Sequence, residues 1–206
     1  RTNKTWSEIS MEDGRRAGAS DEVISEEAKA IQGSLRIFDN AITDEFCDVL
    51  LETFKLHLDE QEHKDNFVQF NYSDIYEEED LHKNLISFIG TLHEHYMQAL
   101  NLPLGIFHKE GIEKLRIKKV LPPEKESLVN IDVRDTTSSI RALGFMFFLS
   151  NSERKVQFFR QGVGIQPQKG RVIVYPPHWE YPYNISQGED DVFILQTYLH
   201  YGTEKA

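Results

Sequence analysis

GIQPQKGRVIVYPPHWEYPYNISQGEDDVFILQTY, residues 164–198, is the stretch that decides the fold. Ile165 leads into Pro167-Gln168-Lys169-Gly170, a tight-turn sequence, and Arg171-Val172-Ile173-Val174-Tyr175 follows as a β-branched run. Pro176-Pro177 stop that run and open an aromatic loop. Ser186-Gln187-Gly188 and an acidic patch then precede a long apolar and aromatic segment, Val192 to Tyr198. The pattern predicts strand, turn, strand, loop and a long final strand.

Upstream, period-two or continuous apolar runs predict strands near 114–121, 128–133, 141–149, 155–160 and 163–167, with the later two at 171–175 and 191–200. Before residue 114 the periodicity is helical. Thr43 is a candidate N-cap with Asp44 and Glu45 in the first turn, and Phe46, Val49, Leu50, Phe54 and Leu58 predict a helix over 43–63. Leu81, Leu85, Ile89, Leu92 and Tyr96 predict a second over 78–101, ended near Pro103. Short strands are expected at 34–38 and 67–70. Two helices followed by seven or eight short strands make an α+β chain, with an antiparallel jelly roll as the natural architecture.

The 206 residues suit one domain, expected over 34–206 behind a polar 1–33 extension. A weakly apolar extension of this kind is held by its own domain or by a partner, so 1–33 is a candidate contact with other protein subunits. A formal net charge of -11 excludes a general nucleic-acid binder, which needs a basic face. No apolar run approaches the roughly 18–20 residues that span a bilayer. Cys47, the only cysteine, reads as a small buried hydrophobe. The sequence opens at Arg1 rather than at a methionine, which leaves the compartment open and is compatible with an organelle-processed chain. His82, His93 and His95 read as exposed helix-surface residues, because a His-x-His pair does not share a helix face.

Leu115 to Val120, Leu128-Val129-Asn130-Ile131-Asp132, Arg141 to Asn151, Gly164 to Arg171 and Tyr175-Pro176-Pro177-His178-Trp179 stand in an order and spacing that resembles the Fe(II)/2-oxoglutarate dioxygenases of the prolyl-4-hydroxylase-like type. The resemblance covers residues 35–201 and implies a double-stranded β-helix, a cupin-like barrel with the two helices packed on one sheet. It also implies a facial triad of two imidazoles and one carboxylate, the donor set that leaves Fe(II) open to 2-oxoglutarate and O₂.

Those implied residues are largely replaced. Where the resemblance implies His-x-Asp the sequence has Asn130 and Asp132, two apart so that a strand aims both to one face. The second imidazole position falls on Tyr183, with Tyr181 next, and His178 lies several residues early. The implied cation for the cosubstrate's far carboxylate is missing, since no Lys or Arg occurs between Arg171 and Lys205, and Gly188-Glu189-Asp190-Asp191-Val192 would repel a dicarboxylate. Arg116, Lys118 and Arg141 are the substitutes from other strands. The expectation is therefore a catalytically inactive dioxygenase-fold protein with no cofactor, a binding or structural subunit of a larger assembly whose vestigial triad is Asn130, Asp132 and Tyr183. The alternative is an active hydroxylase using Fe(II) and 2-oxoglutarate, with Asp132 and His178 on the metal. A third reading is a cupin-like small-molecule binder, and Tyr175, Trp179, Tyr181 and Arg141 are the expected pocket lining.

Overall fold

Side-chain alternation along the strands sorts apolar groups to both faces of one large sheet. The computed structural model describes residues 29–30, 33–103, 107–122 and 129–201. The described strands are β1 (Lys29–Ala30), β2 (Arg36–Phe38), β3 (Glu62–His63), β4 (Phe67–Asn71), β5 (Phe107–Ile112), β6 (Arg116–Val120), β7 (Arg141–Phe148), β8 (Val156–Phe158), β9 (Val163–Ile165), β10 (Val172–Tyr175), β11 (Tyr183–Ile185) and β12 (Val192–Tyr201). The helices are α1 (Asp44–Leu56), α2 (Tyr72–Tyr76) and α3 (Asp80–Ala99).

The main sheet runs β1-β2-β10-β7-β12-β6-β4-β3, with β5 also on β12, and a smaller sheet runs β11-β8-β9. All pairings are antiparallel. This is the expected α+β architecture of antiparallel sheets with few helices. On β7, Phe145 and Phe147 join Leu50, Phe54, Ile89 and Leu92 of α1 and α3 in one apolar cluster. Met146 and Phe148 point the other way, into a second cluster with Phe158, Ile165, Tyr175, Tyr183 and Ile185 between the two sheets. A strand buried on both faces reads as a continuous apolar run, which is the form of Ala142–Phe148. Cys47 is buried, as expected.

Thr43 caps α1, its Oγ1 accepting from the Phe46 amide at 3.3 Å. The helix stops at Leu56 and not near 63. The Gln61 amide caps the Phe54 carbonyl at 2.6 Å, and His57 leaves the helix to stack on Phe70 and bond Tyr76. Leu58, counted as part of the apolar stripe, is exposed. The expected positions of His82 and His93 are also corrected: both are buried, His82 stacked on Tyr72 and bonded to Ser73 Oγ at 2.9 Å.

Of the 1–33 extension, residues 29–30 pair with β2 and Gly33 is described; the rest lies outside the described residues, as does the start of the predicted 128–133 strand. That strand is reduced to one bridge, Asn130 with Tyr183.

Candidate functional site

The site lies where the Asn130–Val133 segment closes on β11. Asn130 N–H donates to the Tyr183 carbonyl at 2.6 Å, Tyr183 N–H returns a bond to Asn130 at 3.0 Å, and Val133 N–H donates to Pro177 at 3.1 Å. Arg141 fixes the same segment by donating Nη1 to the Asp132 carbonyl at 2.7 Å, while its Nε and Nη2 fork onto Glu113 at 2.6 and 2.9 Å. Arg116 and His200 also bond Glu113. Two of the three cations available from other strands are thus committed to Glu113.

Seated this way, the Asp132 carboxylate accepts from Tyr175 at 2.6 Å and from Tyr183 at 3.1 Å. The Tyr198 hydroxyl bears on the same carboxylate. Gln196 donates to the Tyr175 and Tyr183 oxygens at 3.1 and 3.4 Å, and Lys118 Nζ donates to Gln196 Oε1 at 2.7 Å. The strands explain the convergence. Gln196 and Tyr198 are two apart on β12 and share a face, and cross-strand pairing puts Gly144 opposite both Tyr175 and Tyr198. Gly144 is needed there, since a Cβ would come within 2.9 Å of the Tyr175 ring.

Burial, and then the negative charge of Asp132, push the Tyr175, Tyr183 and Tyr198 phenols far above their ordinary range. They therefore stay protonated and donate. Lys118 is pushed down to about 8, first by burial and then by the Arg116 and Arg141 charges, against opposing pulls from Asp132 and Glu113. Asn130, Asp132, Tyr183, Lys118 and Gln196 line a cleft of about 130 Å³, walled by Phe67, Val120, Leu121, Ile185 and Ile194.

The expected lining is corrected in part. Tyr175 is fully buried behind Asp132, and Tyr181 turns away to accept from Ser34 N–H at 3.0 Å. Trp179 is 61 % exposed with the Arg160 guanidinium over its ring, and Arg141 serves Glu113. The acidic Gly188–Val192 segment has its cations too, from β6 and from the β7–β8 connection: Lys119 pairs with Asp191 at 2.9 Å, and the buried Arg154 donates to the Asp190 and Ser186 carbonyls at 2.9 and 3.0 Å and to Val120 and Leu121 at 3.0 and 3.1 Å. Sequence reasoning missed Gln196 in this site and named Lys118 without selecting it; the only signal was their inward register on β12 and β6.

The residues do not fit the iron centre that the family resemblance of the sequence implies. An Fe(II) facial triad needs two imidazoles. His178 instead lies against Tyr181 and Glu180, accepting from the Glu180 amide at 3.4 Å, and His200 is bonded to Glu113. Among the described residues no group of three or more His, Cys, Asp or Glu side chains is placed to hold a metal ion. Also among them, no helix is long and apolar enough to cross a membrane.

The fold is similar to that of solved prolyl 4-hydroxylases, at low sequence identity. A viral collagen prolyl hydroxylase from Paramecium Bursaria Chlorella virus-1 matches at TM-score 0.59 and 16% identity, over 83% of this chain and 97% of that one. A Pseudomonas putida prolyl-4-hydroxylase matches at TM-score 0.59 and 12% identity, over 89% and 99%. A Phytophthora capsici prolyl 4-hydroxylase matches at TM-score 0.64 and 13% identity, over 100% of this chain and 68% of that one. No family model and no curated protein matches the sequence.

Proposed function

We propose that this chain is a dioxygenase-fold protein that has exchanged its iron centre for a hydrogen-bonded Asp-Tyr-Gln-Lys cluster, and that it works as a binding or structural subunit of a larger assembly. The observation that carries the reading is the Asp132 carboxylate, whose two oxygens already accept from Tyr175 at 2.6 Å and Tyr183 at 3.1 Å. A carboxylate so occupied, beside protonated phenols and the weakly donating Asn130 amide, is a poor start for an iron site. An exposed Trp179 capped by Arg160, with exposed Phe159 on the neighbouring turn, supports the binding role, since Trp and Arg dominate the energetic centres of interfaces.

Anaerobic calorimetric titration with Fe(II) and 2-oxoglutarate, followed by a succinate assay in air, tests it. No saturable binding in the micromolar range and no succinate are expected. Micromolar binding or succinate release would overturn the proposal in favour of an active hydroxylase.

A further inference from the structure

We infer that Lys118 is a nucleophilic amine at the wall of the cleft, and that the site condenses reversibly with a short-chain aldehyde or ketone to form an imine. The inference rests on the reading above, that the cleft is not given over to iron and 2-oxoglutarate.

Lys118 differs in its partners from five other lysines of the chain. Lys64, Lys83, Lys114, Lys119 and Lys169 each pair with a carboxylate. Lys118 instead donates to the neutral Gln196 amide at 2.7 Å and lies 5.1 Å from the centroid of the Phe67 ring. It lines a partly open cleft together with the apolar side chains of Val120, Leu121, Ile185 and Ile194. An amine bonded to a neutral amide and not to a carboxylate, half-buried in a partly apolar cleft and flanked by cations, is the setting in which lysine becomes nucleophilic near neutral pH.

The charged groups that act on it are Asp132 and Glu113, which favour the ammonium, and Arg116 and Arg141, which oppose it. With burial they bring Lys118 to about 8, so about a tenth of the amine is free at pH 7. The cleft is small, about 130 Å³, and so suits a carbonyl compound of short chain.

The chemistry balances without a redox partner. The free amine nitrogen attacks the carbonyl carbon, forming the C–N bond. One of its protons passes to the former carbonyl oxygen to give a carbinolamine. The C–O bond then breaks as the second amine proton leaves with that hydroxyl as water. Hydrolysis reverses the sequence.

The test incubates the full chain with propanal and sodium cyanoborohydride at pH 7.5 and maps alkylated lysines by peptide mass spectrometry. Lys118 is expected to be modified about tenfold or more faster than Lys114 and Lys119, with its rate half-maximal near pH 8. Lys118→Arg removes that label and leaves the others. Modification of Lys118 no faster than of Lys119 in the unmutated chain overturns the inference, whether or not the variant folds. That failure leaves the iron titration as it stood. Protection of a fast-reacting Lys118 by Fe(II) with 2-oxoglutarate would instead overturn the earlier reading and leave the amine's reactivity in place.

Discussion

Replacing Arg154 with Met tests what holds the acidic Gly188–Val192 segment to the barrel. Arg154 is 1 % exposed, and its guanidinium reaches the carbonyls of Ser186, Val120, Asp190 and Leu121, all within 3.1 Å. Hydrogen bonds from a charged donor contribute about 1.5–3 kcal/mol each, so four of them sum to roughly 6–12 kcal/mol gross. Methionine keeps the apolar stem, and the Val120 and Leu121 carbonyls stand by the cleft where water can reach them. A net loss of about 4 kcal/mol is expected, near the 3–5 kcal/mol typical when one side of a buried charged contact is removed. For a chain of 206 residues this is a fall in Tm of about 8–16 °C at 2–4 °C per kcal/mol. Scanning calorimetry at 0.1 and 1 M NaCl separates two mechanisms. If Arg154 acts by satisfying carbonyls, the loss persists at 1 M salt, where the screening length is about 3 Å. A loss below about 1 kcal/mol, or one that disappears at high salt, would refute the carbonyl argument and make Arg154 a counter-ion for acidic side chains.

Glu113 gives a pH signature. Burial alone would raise its pKa, but the bonds from Arg141, His200 and Arg116 win and hold it at about 2, below the 4.5 of a free glutamate. Its contribution is therefore complete above about pH 4.5 and is lost as pH falls toward 2. Urea unfolding should show the unmutated chain losing about 3 kcal/mol more than Glu113→Gln between pH 5 and 2, and equal slopes would contradict this. At Gly170 the backbone has φ +82° and a Cβ would meet the Ile42 carbonyl at 2.5 Å. Gly170→Ala should cost about 2–3 kcal/mol in the same assay, from left-handed strain and the displaced contact together, and a neutral result would mean that the turn readily shifts.

Much of the fold was legible because its signals are local. Val172-Ile173-Val174-Tyr175 between Gly170 and two prolines needs no knowledge of its neighbours to read as a strand. Thr43 with Asp44 and Glu45 announces a helix in the same way. Tyr183-Asn184-Ile185 carries no such signal: three residues after a proline become β11 only because Phe158, Gln157 and Val156 of β8 lie opposite them. The site was half legible. The family resemblance pointed to Asn130, Asp132 and Tyr183, which the structure brings together, but a resemblance says nothing about what a replaced side chain will do. That Tyr183 donates to Asp132, and that Gln196 links the phenols to Lys118, follows from register across β6, β7 and β12. The acidic segment misled for a related reason, since its cations come from residues 119 and 154, far away in sequence.

The place of β12 in the main sheet governs how the chain can be made. This ten-residue strand lies between β7 and β6, and among the described strands it alone joins the β1-β2-β10-β7 half to the β6-β4-β3 half. During synthesis both halves emerge before the strand that connects them, and each waits with an open edge beside apolar side chains. The sheet can therefore be completed only after residue 201 has left the ribosome, and a chain stopped near residue 190 would hold two unjoined half-sheets. Such a chain should depend on chaperones that shield strand edges.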